Sequence, residues 1–205
     1  ATYSPWIQMG DNENGVNIYL PPTAEVVRNI ALTDNISFPW FAPAGITRGL
    51  TKAKRAKRKL TQDDRDTLYK GRINPIATFS DVGVTIWGNK TLQIKESALD
   101  RINVRRLLLQ ARKLISAIAI RLVFEQNDQQ LRDQFLSLVN PILDGIKQQR
   151  GLIEFKIVVD DTNNTPETID RNEFHAQLFL KPTRSAEFLI LDFSVMSTGA
   201  KFENV

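Results

Sequence analysis

The chain has 205 residues, of which 27 are Lys or Arg and 23 are Asp or Glu, for a formal net charge of +4. Apolar residues make up 42% and charged ones 24%, the balance of an ordinary folded domain, which excludes disordered, collagen-like and coiled-coil chains. With no cysteine and a single histidine, His175, disulfides, thiolate chemistry and His-rich metal clusters are excluded as well.

In chain order, residues 6–9 and 16–20 are short apolar segments separated by a polar turn that ends in Asn14-Gly15, which predicts a hairpin or a pair of arms. Pro21-Pro22 stops the second segment, and Thr23 is the predicted cap of a helix carrying Val26, Val27, Ile30 and Ala31. Residues 37–45 hold Phe38, Pro39, Trp40, Phe41 and Pro43, too much apolar area to hang free, so this segment docks on its own core or on a neighbour. Between Arg48 and Lys59 lie seven basic residues and no acidic one: Arg48, Lys52, Lys54, Arg55, Lys57, Arg58 and Lys59. Without them the 23 acidic residues would outnumber the remaining basic ones, so the excess charge is local. The run reads first as a solvated edge strand or a protein-facing surface. Nucleic acid is the poorer reading, because no aromatic residue interleaves the run.

Thr61 caps the next helix, with Asp63 and Asp64 in its first turn and an end near Gly71. Residues 73–79 and 84–87 read as strands. From 104 to 124 apolar residues recur at helical spacing, with Leu109, Ala117, Ile120 and Val123 widening the stripe, so this helix is expected to be buried on most sides, with Leu108, Leu114 and Ile118 almost fully covered. Asp128 opens a second amphipathic helix, which Pro141 should kink or split. Residues 152–159, 174–180 and 189–195 read as strands, the last two joined through residues 182–185 as a hairpin, and the pattern fades into a tail from Ser197. The uncharged stretch 114–120 is far too short to span a bilayer. A strand-like segment beginning almost at Ala1 points to a fragment of something longer.

Chemistry is hard to find. His175 stands in an alternating strand, without a Gly-x-Ser-x-Gly elbow anywhere, and reads as a structural or surface histidine. Asp160, Asp161 and Asp170 fit no calcium loop, and a hydrogen-bonded turn is the better reading. A hydrolase built on Asp160, Asp161 and His175 is the third of three hypotheses, behind an assembly module and a basic nucleic-acid binder. No catalytic residue, metal ligand or cofactor is assigned.

Several runs carry a resemblance. They are Gly45-Ile46-Thr47-Arg48-Gly49 after the Pro-Trp-aromatic segment, Arg72-Ile73-Asn74-Pro75-Ile76 leading into Val84-Thr85-Ile86-Trp87-Gly88-Asn89-Lys90-Thr91-Leu92, and Ile102-Asn103-Val104-Arg105-Arg106-Leu107-Leu108. Val123-Phe124-Glu125-Gln126-Asn127-Asp128 follows, and then Asp161-Thr162-Asn163-Asn164-Thr165 with Ile169-Asp170-Arg171-Asn172-Glu173-Phe174. In this order they resemble the conserved C-terminal region of contractile tail sheath proteins of bacteriophages. The element pattern predicts a single α/β (α+β) domain over 1–205, a mixed sheet with packed helices and extended arms at about 1–20 and 196–205, and the resemblance agrees with it. The resemblance implies a structural, non-enzymatic subunit that forms hexameric rings stacked helically around a tail tube and contracts to drive the tube through the host envelope. Its partners would be further copies of itself, the tail tube protein, and the baseplate and tail terminator proteins, in a virion tail assembled in the host cytoplasm, with no membrane insertion. The residues expected at subunit interfaces are Trp6, Ile7, Ile18, Tyr19, Met196 and Phe202, with arms adding strands to neighbouring sheets. The surface expected to face the tube is the polar side of the second long helix, Gln129, Gln130, Arg132, Asp133, Lys147 and Arg150. The basic run Lys52, Lys54, Arg55, Lys57, Arg58 and Lys59 is the second candidate, and it is more basic than the resemblance leads one to expect.

Overall fold

The computed structural model describes residues 1–11 and 13–188. Two apolar cores organise it. The first gathers Ile7, Val26, Ala56, Ile76, Val84 and Ile86. Strand β1 (Thr2–Ser4) runs parallel to β5 (Ile73–Phe79), which pairs antiparallel with β6 (Gly83–Ile86), giving a small mixed sheet. Beside it, β2 (Ile7–Asp11) forms the predicted hairpin with β3 (Val16–Leu20) and takes the two-residue β4 (Arg55–Ala56) on its other side. Helix α1 (Thr23–Ile36) covers this core with Val26. Thr23 is its first helical residue and makes no cap: Pro22 holds the cap position, with no side-chain bond. The four-residue α2 (Gly45–Arg48) leads through Gly49 into β4.

Helix α3 (Gln62–Lys70) begins where its cap predicts. Thr61 Oγ1 accepts from the Asp64 amide at 3.2 Å, and the Asp64 carboxylate accepts from the Thr61 amide at 3.0 Å. Asn74 then ties β1, β5 and the segment after β6 together. Its amide donates to the carbonyls of Thr2 and Lys90, and its Oδ1 accepts from the Lys90 amide at 2.8 Å. Gly88 is required by this arrangement, because a Cβ there would lie 2.6 Å from Asn74 Oδ1. The Asn74 and Gly88-Asn89-Lys90 motifs are thus two sides of one contact.

The second core joins α4 (Ile102–Ala119), α5 (Gln129–Gln148) and β7 (Leu152–Val158), with Leu107, Ala111, Phe135, Val139, Leu143, Ile146 and Leu152 buried among them. Trp40 seals it and donates its indole N–H to the Gln149 carbonyl at 2.9 Å, so the aromatic segment docks on the chain's own core. Asp128 caps α5 by accepting from the Leu131 amide at 2.9 Å. Pro141 does not split α5. It sits on the exposed side while Val139 and Leu143 pack the opposite face, and that packing holds the helix through the missing N–H. The short α6 (Pro166–Asp170) precedes β8 (Gln177–Pro182), which pairs antiparallel with β7. Pro182 belongs to β8, and residues 183–188 continue without regular structure. The strand expected at 189–195 lies outside the described residues.

Helix α4 corrects one expectation. It ends at Ala119, followed by a 3₁₀ turn at Ile120–Leu122. Its buried residues are Ile102, Asn103, Val104, Leu107 and Ala111, whereas Leu108, Leu114 and Ile118 are only half-buried. Leu109, Ile120 and Val123 are exposed, and Phe124 is fully so. α5 and its neighbours cover one side of the helix only, and the apolar stripe is wider than that cover.

Candidate assembly interface

The stretch 1–20, expected as an extended arm, supplies the strands β1, β2 and β3, yet each of them also pairs within the chain. Ile7 is corrected outright as an interface residue: it is buried in the first core, because the alternation of β2 turns it inward with Ala56 on the adjacent strand. Trp6 and Tyr19 point to the opposite side and are exposed, as is Ile18 near the hairpin tip. The tip is fixed by Asp11, whose carboxylate accepts from the amides of Glu13 and Asn14 and from the Asn14 side chain at 2.7 Å. The Asn14 side chain first, then these amides, hold Asp11 below the usual carboxylate range. Gly15 completes the turn at φ +66°, a region glycine enters freely. Beyond its pairing with β2, β3 has no other strand partner among the described residues, and β7 has none beyond β8. Each is a row of backbone donors and acceptors onto which a further strand can add. Met196 and Phe202 lie outside the described residues.

The basic run has only two residues in a strand. It crosses β2 as an edge, and its side chains are anchored on the hairpin: Lys54 Nζ donates to Asn17 at 2.8 Å, and Arg55 Nε to Gln8 at 2.7 Å. Lys57 Nζ lies 5.9 Å from the ring centres of both Trp6 and Tyr19. The fold thus brings aromatic residues to a run that has none in sequence. Arg58 pairs with Asp64 of α3, and Lys52 and Lys59 are exposed.

Of the residues expected to face a tube, Gln130 and Lys147 are exposed on α5, and Gln129 donates to Asp133 at 2.9 Å. Arg132 is corrected. It is buried beside Asp161, with its guanidinium 2.5 Å from that carboxylate, and clamps α5 to the turn after β7. Arg150 stands after the helix at φ +64°, on the rim of a cleft of about 640 Å³ that Trp40, Phe79, Trp87 and Phe188 also line.

Sequence reasoning missed the outer side of α4. Arg105, Arg112 and Lys113 on α4, and Arg121 in the 3₁₀ turn that follows it, are exposed and interleaved with Leu109, Ala117 and Ile120, and none of the four has an ion-pair partner among the described residues. From 105 to 119 the helical part of the stripe runs about 21 Å at 1.5 Å per residue. The signal was present: no acidic residue occurs between Arg101 and Phe124. Wide apolar content drew the reading toward burial instead.

At the base of α4, Glu187 bonds Arg101 twice, at 2.6 and 3.0 Å, and accepts from the Tyr69 hydroxyl at 2.8 Å. Burial first, then Glu187, pushes the Tyr69 phenol well above its ordinary range. Asn103 reaches Ser185 in the same stretch. These bonds fix residues 183–188 across the start of α4, at the point where the described chain ends. The residues considered for hydrolysis are engaged separately: Asp160 holds Thr162, Asp161 pairs with Arg132, and exposed His175 lies 2.9 Å from Glu173. No helix among the described residues is long and apolar enough to cross a membrane.

With open strand edges and an unpaired basic stripe in place, the likenesses become decisive. Residues 95–196 match the phage tail sheath C-terminal domain. The chain belongs to the phage tail sheath family. It is 39% identical to the tail sheath protein of Vibrio phage KVP40 over 95% of its own length and 29% of that protein. It spans about a third of the length of the curated tail sheath proteins it matches. Among solved structures it is similar to the sheath complex of an extracellular contractile injection system (PVC) in the contracted state, at TM-score 0.85 and 28% identity, covering 95% of this chain and 55% of that one. The helical sheath of the anti-feeding prophage in the contracted state gives TM-score 0.83 and 27% identity, with 95% and 55% covered. This sheath family is structural, which agrees with the separate engagement of Asp160, Asp161 and His175.

Proposed function

We propose that this chain is the C-terminal portion of a contractile tail sheath subunit, which polymerises with further copies as stacked hexameric rings around a tail tube and shortens to drive the tube through a host envelope. The observation that carries the reading is likeness to contracted sheaths over nearly the whole chain. The open edges of β3 and β7 supply what such an assembly needs, since strands added there link subunits through backbone bonds while the domains themselves stay rigid. The whole of 1–205 acts as one unit in this reading, in a virion tail assembled in the host cytoplasm, ending on baseplate and terminator proteins.

For the tube contact the geometry favours α4 over the polar side of α5. The α5 surface has lost Arg132 to an internal pair, whereas α4 and the 3₁₀ turn after it offer four cations that have no ion-pair partner among the described residues, with apolar residues between them. Such a face suits an acidic tube, because exposed charge pairs exchange for water at little net cost when the sheath must let go. The test is reversal of Arg112, Lys113 and Arg121 to Glu in the full-length sheath, followed by electron microscopy. Assembly on purified tubes should be lost while tube-free polymerisation persists. Normal sheaths on tubes remove α4 from that contact, and failure of the unmodified sheath to form tubes or rings removes the function.

A further inference from the structure

The outer face of the β3–β2–β4 sheet carries a dense positive charge that the described residues of its own chain do not neutralise. Lys54, Arg55 and Lys57 project from it beside Trp6 and Tyr19, and exposed Lys52 and Lys59 flank it. Among the described residues only Arg58 of this run pairs with a carboxylate, that of Asp64. The same chain bears the opposite charge elsewhere. Glu125 and Asp128 just before α5 and Asp133 in its first turns adjoin the turn carrying Asp160 and Asp161, helix α6 with Glu167 and Asp170, and Glu173 beyond it. These two segments are bound together, through Arg132 to Asp161 and through the Asn127 side chain donating to the Glu173 carbonyl at 2.9 Å. Arg132 and Arg171 are the only cations in these two stretches, and both are already paired. The acidic pole stays ionised: hydrogen bonds from Thr162, Thr165 and His175 are the leading causes that hold Asp160, Glu167 and Glu173 below the ordinary carboxylate range.

The two poles belong to different cores. Among the described residues no hydrogen bond or ion pair joins them, so the chain does not satisfy one with the other. We infer that the basic β3–β2–β4 face of one copy docks on the acidic α5–α6 pole of the next, a head-to-tail contact between copies of this chain. Unlike surfaces meeting in this way generate rings or helical filaments rather than closed dimers, which is the symmetry a sheath requires. The inference rests on the assembly reading above and adds to it a specific pair of surfaces. Nucleic acid fits the basic face less well. The Trp6 and Tyr19 rings both face Lys57, so they are not offered as stacking platforms, and phosphate binding would leave the acidic pole without a role. The contact also explains why the run is so basic: it faces a pole with eight carboxylates, of which only Asp161 and Glu173 are paired with the pole's own arginines.

The test uses two triple variants of the 205-residue chain, all at exposed positions outside the caps and ion pairs. One is Lys54→Glu, Lys57→Glu and Lys59→Glu. The other is Glu125→Lys, Glu167→Lys and Asp170→Lys. Association is followed by sedimentation velocity between about 50 and 200 mM salt. The wild-type chain should associate at low salt and dissociate as salt rises. Each variant alone should lose association, because like charges then meet. Mixing the two should restore it, since the reversed faces complement one another. That rescue also shows that both variants are folded. Association unchanged in both variants overturns the inference and leaves self-assembly standing. Loss without rescue on mixing also overturns it. A wild-type chain that binds a single-stranded oligonucleotide and never associates with itself overturns both the inference and the assembly reading of this face.

Discussion

Truncating Leu107 and Leu109 one at a time tests how α4 is set in the fold. The two differ by two positions and lie on opposite sides of the helix: Leu107 is 1% exposed and Leu109 is 66% exposed. Leu→Ala removes three carbons, and at about 0.8 kcal/mol per buried carbon the transfer part for Leu107 is about 2.4 kcal/mol. Its neighbours Ala111, Phe135, Val139 and Leu143 are themselves buried and cannot collapse far, so a cavity contribution brings the expected cost to about 3–4 kcal/mol. Leu109 has roughly a third of its surface to lose, or about 0.8 kcal/mol, and the better helix propensity of Ala returns a few tenths of that. Its expected cost is about 0.5 kcal/mol. For a chain of this size the difference amounts to about 7–14 °C in Tm for Leu107→Ala and about 1–2 °C for Leu109→Ala. Urea unfolding followed by circular dichroism reads both. Equal costs, or a larger one at Leu109, would mean that α4 is rotated or covered on its outer side, and the assembly surface assigned to it would fall.

Three further outcomes follow from the polar contacts. Asp11, Asp64, Asp160, Glu167 and Glu173 all have folded-state values below their ordinary ones. Stability from such groups is fully present above the unfolded value, about pH 4, and is lost as pH falls through the lower folded values, so Tm should hold from pH 7 to 5 and drop below pH 4. Thr61→Ala should cost about 1 kcal/mol and shrink, without removing, the Asp64 part of that drop, because the Thr61 amide, the larger cause, still donates to Asp64; a Tm series in pH would register this, and an identical acid limb in wild type and variant would refute a contribution from the Thr61 hydroxyl. Glu187→Gln should cost about 1–3 kcal/mol by weakening its bonds to Arg101 and Tyr69. It should also lower the Tyr69 phenol value without restoring it, because burial is the larger cause, and tyrosinate absorbance against pH measures this. An unchanged titration would show that Glu187 does not hold residues 183–188 in solution.

Much of this fold was legible because its signals are local. The caps at Thr61 and Asp128, the turn at Asn14-Gly15, the strands β5, β6 and β7 and the long helices depend on backbone preferences and side chains within about four positions, all visible in one window of sequence. The runs around Asn74, Asn103 and Asp161 were legible for another reason: each supplies contacts that few other residues could make, such as the pair of hydrogen bonds between Asn74 and the Lys90 backbone, beside which there is no room for a Cβ at Gly88. What the sequence could not rank was cover. A helix apolar on most sides announces more burial than its neighbours provide, and only packing decided that Leu107 is inside and Leu109 and Phe124 are outside. The same holds for pairing at a distance. Arg132 meets Asp161, Trp6 and Tyr19 meet Lys57, and Glu187 meets Arg101 across separations that no periodicity spans. Composition fixed the amounts of charge and apolar surface in this protein. The tertiary structure decided which of them is spent inside the chain and which is left over for its neighbours, because burial and ion pairing depend on where elements meet rather than on what each element contains.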